Sequence, residues 1–318
     1  MKQLLFIVTI SLLVSACGTS GMPTLTSTPS ATSSVTIRES VTESVYLSAT
    51  PHPLSVLPST TPPVTPSATV RESVTESVYP SVWKEWPVIP VLIDPSLQKV
   101  YERGLSLGND PHAFSIFGDC QTRPGEFFGV FETDSSVVQS LSPELQETIA
   151  YFNGSFNRES STAQDGTTPG ALLWTQWHRG EYGCTFAETP VECEIRTHHP
   201  SFVIIQIGSH FESRNTEYLR KIILQLLDAG VIPILATKAD NREKDERINR
   251  DMALLASEYD LPLWNFWAAV SDLPNRGLYT RSDRPQQGDI YLTEEAAQIH
   301  RMTALETLNI VWRAVTGK

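Results

Sequence analysis

The stretch Ala113-Phe114-Ser115-Ile116-Phe117-Gly118-Asp119-Cys120-Gln121-Thr122-Arg123 decides how the chain is read. Five mostly apolar residues stop at a glycine, as in a buried strand that ends in a tight turn. Past the turn stand a carboxylate, Asp119, and a thiol, Cys120. A strand, a glycine and then a small nucleophilic side chain is how α/β enzymes lift a nucleophile above a sheet. A buried structural cysteine at a strand–turn is the competing reading, because free cysteine is among the most buried residue types.

Downstream, strand and helix patterns alternate. Phe202–Ile207 is apolar, rich in β-branched residues and closed by Gly208. A helical pattern over 216–229 ends at Gly230, and Val231–Thr237 forms the next apolar run. The Asp245–Tyr259 stretch repeats apolar residues at Ile248, Met252, Leu255 and Ala256, which is helical spacing. Leu261–Asn265 reads as the last strand and Glu294–Thr316 as the last helix. Upstream, 97–107 and 143–150 are helix-prone, and a further strand is expected near Tyr151–Ser155. Continuous apolar strands separated by helices give a parallel sheet covered on both faces. The expectation is a three-layer α/β/α sandwich around a central, mostly parallel, five-stranded sheet. Ligands in such folds bind beyond the carboxyl ends of the strands. Gly118, Gly208 and the Thr237–Asn241 loop all lie at such ends.

The segment before 83 has another character. Lys2 precedes an apolar run, Leu4–Val14, too short to span a bilayer, and Val14-Ser15-Ala16-Cys17 follows. This is similar to a bacterial lipobox. Residues 1–17 are therefore read as a lipoprotein signal peptide, with lipidation at Cys17 anchoring an exported protein to the outer face of the membrane. Residues 18–82 are rich in Ser, Thr and Pro, a composition that buries too little apolar area to offset chain entropy. They read as an extended tether. Within it T-I-R-E-S-V-T-E-S-V-Y, from Thr36, returns as T-V-R-E-S-V-T-E-S-V-Y from Thr69. Two copies do not make a solenoid; a duplicated spacer or a β-prone recognition segment are the two readings. Residues 83–318 form the folded domain. A net charge of −12 offers no basic excess for phosphates, so nucleic acid is excluded as a partner.

Cysteine usage agrees with export. Cys184 and Cys193 flank a short loop and read as a disulfide, since their spacing is too long for a zinc knuckle. Cys120 is then the odd thiol. His198-His199 precede a strand as a turn; adjacent histidines rarely face one metal. Neither a metal nor a cofactor is expected. Trp174, Trp177, Trp264 and Trp267 could line a sugar-binding cleft or serve as core and rim packing.

The G-D-C turn resembles the first block of the SGNH (GDSL) hydrolases, whose pattern is strand-Gly-Asp-Ser. The resemblance covers roughly the last two thirds of the chain. It implies a flavodoxin-like α/β/α fold and an esterase-type hydrolase acting on an acyl ester, either a small molecule or an acylated glycan. It places Cys120 at the nucleophile position and Asp119 beside it. Gly154 takes the second-block glycine, although Gly166 and Gly170 also follow. Gly208 opens the third block, where His210 replaces the oxyanion-binding Asn. Apart from the resemblance, the Lys238–Asn241 loop follows a strand and so borders the cleft; Asp240 or Asn241 positioning a ligand and a plain solvated turn are the two readings there. In the last block, Gly288-Asp289-Ile290-Tyr291-Leu292-Thr293, Tyr291 stands where the family has its His and Asp289 is one residue off the Asp position. Tyrosine, with a reference pKa near 10, is a poor base at neutral pH. The residues leave two readings open: a Cys120–His210 thiolate–imidazolium dyad, or a degenerate domain that binds without cleaving.

Overall fold

In the computed structural model, residues 82–318 are described. The signal peptide, Cys17, and the tether with its repeat lie outside them, apart from Val82. The described chain begins with a short 3-10 turn, Val82–Glu85, whose Trp83 is buried edge-on against Trp267 at 5.7 Å.

Four strands make the central sheet: β1 (Asp110–Gly118), β2 (Pro200–Gln206), β3 (Ile232–Ala236) and β4 (Leu263–Trp264). Their order is β1-β2-β3-β4, and every pairing is parallel. Phe114 stands opposite Phe202, Phe202 opposite Ile232, and Leu235 opposite Leu263. β1 is buried from Ala113 onward, and β2, β3 and β4 throughout. Burial on both faces is why these strands read as unbroken apolar runs rather than alternating ones.

The sheet has four strands, not five. The expected strand near Tyr151–Ser155 is instead the end of the Pro143–Tyr151 helix and a turn. The chain that follows, F-N-R-E-S-S-T-A, lacks the apolar run that a central strand needs. It meets β1 at one parallel bridge, Gly118 with Ala163. Thr162 fixes that bridge: its carbonyl accepts from Gly118 N–H at 2.8 Å and its hydroxyl donates to Ile116 O at 2.7 Å. Counting the bridge as an edge position, the spatial order is flavodoxin-like, with its topological switch between β1 and β2.

Helices Ser96–Leu107, Pro143–Tyr151 and Glu294–Thr316 pack together on one face, and Pro190–His198, Asn215–Asp228 and Arg247–Glu258 form the other layer. The last helix starts at Thr293, whose hydroxyl accepts from Ala296 N–H at 3.3 Å, and it buries Ala304, Leu308, Val311 and Trp312 along one stripe. Aromatic edges knit that layer to the sheet: Phe114 meets Phe152 at 5.6 Å and Phe156 at 4.9 Å, and Phe152 meets Trp312 at 5.7 Å. Each such pair contributes ~0.5–1.5 kcal/mol beyond the area it buries. Cys184 is disulfide-bonded to Cys193 in the Pro190–His198 helix, and Cys120 is a free, buried thiol. Among the described residues no helix is long and apolar enough to cross a membrane.

Candidate functional site

The carboxyl ends of β1 and β2 meet through one carboxylate. Gly118 permits the turn, since a Cβ there would lie 2.1 Å from Thr122 Oγ1 and 2.7 Å from the Gln206 carbonyl. Asp119 then caps the 3-10 turn Cys120–Thr122, with Oδ1 accepting from Gln121 N–H at 3.4 Å. Its Oδ2 accepts from the N–H groups of Gly208 at 3.4 Å and Ser209 at 3.1 Å. Asp119 is therefore the clasp between the loop after β1 and the loop after β2. Burial, reinforced by the Asp240 carboxylate, pushes its pKa above the ordinary aspartate value; the His210 imidazole pulls the other way. The clasp also occupies the Gly208 N–H, which is thereby unavailable to an oxyanion.

Of the two readings left open, the dyad finds no support in the geometry. Cys120 is only 8% exposed and is not hydrogen-bonded to His210. Burial, with the carboxylates of Asp119, Asp165 and Asp240 around it, raises the thiol well above its ordinary pKa. Reactive thiols sit in the opposite, electropositive kind of surroundings.

His210 instead lines an open recess of about 380 Å³ with Gly166, Thr168, Ser209, Phe211 and Arg242. Cys120 and Tyr291 are not among the described residues of that wall. Arg242 Nη1 donates to the Ser209 carbonyl at 2.8 Å, and Phe211 lies under the Arg247 guanidinium at 5.2 Å. Gly208, at φ +143°, makes the reversal between β2 and this wall; a Cβ there would lie 2.4 Å from Ile248 Cγ2.

A buried ionic cluster holds the wall from beneath. Ser209 Oγ donates to Asp240 Oδ2 at 2.6 Å. Lys238 Nζ donates to Asp240 Oδ1 and to the Asp240 carbonyl, both at 2.8 Å, and to Glu243 Oε2 at 2.7 Å. Thus the loop after β3 reaches the site through Asp240. Asn241 does not border it: its Oδ1 accepts from Glu246 N–H at 3.0 Å, and the residue lines a separate recess of about 360 Å³ with Trp267 and Arg276.

Gly154 is also displaced from the position expected of it. Its N–H donates to Glu132 Oε1 at 2.5 Å, and its neighbour Ser155 accepts from Phe114 N–H at 3.2 Å, beside the middle of β1. The glycine that reaches the recess is Gly166, three residues past the Ala163 bridge. Gly166 is the alternative to Gly154 that the sequence already offers; Thr168 and Arg242 are not assigned from sequence. The usable signal was D-G-T-T-P, residues 165–169, where Thr168 caps a short helix by accepting from Ala171 N–H at 3.1 Å.

The last block supplies no base. Tyr291 and Asp289 belong to a hairpin in which β5 (Leu278–Tyr279) pairs antiparallel with β6 (Tyr291–Leu292). The Tyr291 hydroxyl donates to Gln287, and its ring lies 5.1 Å from the Arg281 guanidinium. Asp289 accepts from Asn275 Nδ2 at 3.0 Å and from the Thr280 hydroxyl. The hairpin meets the first loop where Gln121 Nε2 donates to the Ile290 carbonyl at 2.6 Å. His300 is fully buried among Phe127, Trp264 and Phe266, paired with Gln206. Burial and the Arg301 charge hold its pKa well below the ordinary histidine value.

Strand order, a Gly-Asp turn after β1, its clasp on the glycine loop after β2 and the closing helix are thus in place. The domain is an α/β/α sandwich on a parallel sheet, the fold that the resemblance to the SGNH (GDSL) hydrolases implies. No family model matches the chain, and no curated protein matches it in sequence. Among solved structures it is similar to a catalytic mutant of an acetylxylan esterase from Geobacillus stearothermophilus, at 15% identity and TM-score 0.42 over 64% of this chain and 97% of that one. It is similar to a GDSL-like lipase from Bacteroides thetaiotaomicron, at 12% identity and TM-score 0.40 over 68% and 98%. A family 3 carbohydrate esterase from Clostridium thermocellum matches at 13% identity and TM-score 0.40 over 64% and 97%. No residue role is carried over from them. Among the described residues, no group of three or more His, Cys, Asp or Glu is placed to hold a metal.

Proposed function

We propose that this domain binds an acyl-bearing ligand without cleaving it by the ordinary esterase route. The observation that carries the reading is Cys120: a buried thiol, with carboxylates nearby and without a hydrogen-bonded base. Acyl transfer needs the thiolate, a base to take its proton and donors for the oxyanion. Here burial and nearby carboxylates disfavour the thiolate, Tyr291 serves its hairpin and Gly208 N–H serves Asp119. What remains is recognition. Arg242 and His210 present nitrogen donors to the recess, a chemistry that suits the carbonyl oxygen of an ester. We further propose that lipidation at Cys17 holds the domain outside the cell membrane on the 18–82 tether. Loss of lipid labelling in Cys17→Ala, with labelling of the unaltered chain, tests that part.

The experiment on the site is turnover of p-nitrophenyl acetate by the full chain and by Cys120→Ala. The two are expected to be equally inactive, and Cys120→Ser combined with Tyr291→His is expected to stay inactive, because Tyr291 lies in the hairpin. Turnover that vanishes in Cys120→Ala overturns the reading and reinstates a thiol hydrolase.

A further inference from the structure

The turn that precedes β5 carries an arginine whose charge its neighbours do not neutralise. Asn275, Arg276 and Gly277 follow one another at φ +48°, +52° and +68°, a left-handed run that glycine takes easily and arginine does not. The run is pinned in place. Arg276 N–H donates to Leu273 O at 2.9 Å, and Asn275 Nδ2 donates to Leu278 O at 2.9 Å and to Asp289 Oδ2 at 3.0 Å. This backbone lays the Arg276 guanidinium on the buried Trp267 ring, 3.6 Å from its centroid.

The guanidinium spends one nitrogen inside the protein, Nη1 donating to the Trp267 carbonyl at 3.1 Å. Nε and Nη2 have no acceptor among the described residues, yet they are not sealed from solvent. Arg276 forms part of the wall of the recess of about 360 Å³ that Asn241 and Trp267 also line. The carboxylates in reach are engaged elsewhere. Glu246, whose charge acts on Arg276, is ion-paired with Lys84, and Asp289 accepts from Asn275 and from the Thr280 hydroxyl. Partial burial lowers the Arg276 pKa from its ordinary value, against the pull of Glu246. Asn241 adds a second open donor. Its Oδ1 accepts from Glu246 N–H, which fixes the amide, and its Nδ2 has no acceptor among the described residues. Among the described residues, no Asp or Glu lines this recess, whereas Leu273 and Leu278 do.

We infer that this recess binds the carboxylate of an apolar acid, either a small molecule or the free C-terminus of a peptide. Nε and Nη2 form the side of a guanidinium that grips both oxygens of a carboxylate, and stacking on an indole holds that fork rigid. The Asn241 amide supplies a further donor, and the two leucines cover the apolar body of the ligand. One guanidinium balances one negative charge, so a phosphate dianion would bring a second charge that nothing in the wall meets. The recess shares no lining residue with that of His210, so the inference goes beyond the binding reading above and does not rest on it.

The test is a titration of the isotope-labelled full chain followed by proton–nitrogen correlation spectra, with the Trp267 indole signal assigned by its loss in Trp267→Phe. The probes are 3-phenylpropanoate, the peptide acetyl-Ala-Ala-Leu with a free C-terminus, the carboxamide of each, and inorganic phosphate. At least one of the two acids is expected to move the indole signal saturably, and neither carboxamide should. Binding by the free acid alone or by the peptide alone supports the site and identifies the source of the carboxylate. Arg276→Gln is expected to weaken binding at least about tenfold, a change of ~1.4 kcal/mol, with an unchanged circular dichroism spectrum. Arg276→Lys should weaken it as well, because an ammonium keeps the charge but lacks the fork. Absence of saturable binding by either acid up to about 20 mM, which corresponds to less than ~2.5 kcal/mol, overturns the inference. So does equal binding of an acid and its carboxamide, a comparison that needs no variant to fold. Binding that Arg276→Gln leaves unchanged, or stronger binding of phosphate than of either acid, overturns it too. The ester assay on Cys120 reports on the other recess, so failure of either reading leaves the other standing.

Discussion

Replacing Lys238 by Met should show how strongly the candidate site depends on the ionic cluster beneath it. Lys238 is 2% exposed, and all three of its ammonium protons are used, on Asp240 Oδ1, the Asp240 carbonyl and Glu243 Oε2. Methionine fills much the same length but leaves two buried carboxylates facing each other, with Asp119 close behind. Removing one member of a buried ion pair costs ~3–5 kcal/mol, because the charge left behind is neither solvated nor paired. In a domain of this size that corresponds to a fall in Tm of about 6–20 °C. Thermal unfolding of the full chain at pH 7, followed by tryptophan fluorescence and far-UV circular dichroism, measures it. Glu243→Leu added to Lys238→Met should recover part of the loss, since Glu243 Oε1 is already buried without a partner and an apolar replacement removes that burden. A fall in Tm under about 2 °C for Lys238→Met would refute the reasoning, as would a double variant less stable than the single one.

Three further outcomes are expected. Gly208→Ala should lose ~2–5 kcal/mol in urea unfolding, from its φ of +143° and the 2.4 Å approach to Ile248; an unaltered midpoint would contradict that. Asp119→Asn tests the raised carboxyl. A folded-state pKa above the unfolded one makes ionised Asp119 unfavourable above that folded value, and the cost disappears as pH falls through it toward the unfolded value of ~3.9. Stability of the natural chain relative to Asp119→Asn should therefore rise from pH 7 to pH 4.5; a fall over that range would show the carboxyl to be shifted the other way. Cys120 should be alkylated by iodoacetamide at pH 8 at least about tenfold more slowly in the native chain than in guanidinium, read by mass spectrometry of its peptide. Equal rates would mean that the thiol is exposed and ionisable.

How far the sequence could be read follows from the range over which each feature is determined. The apolar runs at 113–117, 202–207 and 231–237 and the helical repeat of 245–259 are local patterns, so they gave the parallel sheet and its covering helices. The Glu294–Thr316 helix has the same bounds in both readings, because its Thr cap and apolar stripe lie within the segment. The fifth strand was misplaced because Tyr151–Ser155 carries aromatic residues that pack as a helix end, whereas the true edge is a single bridge set by one threonine hydroxyl. The Gly-Asp turn and the loop of Gly208 were legible as loop ends on neighbouring strands. Which side chains turn into the recess was not, because that depends on burial and on partners far along the chain. Asp240 rather than Asn241 faces Ser209, Gly166 rather than Gly154 reaches His210, and the Tyr291 hydroxyl serves Gln287. Motif order alone thus determined the scaffold and the odd thiol at its rim. Only the folded chain decided that this thiol is buried, with carboxylates near enough to disfavour its ionisation, since the electrostatic surroundings of a group are set by whatever packs around it in space.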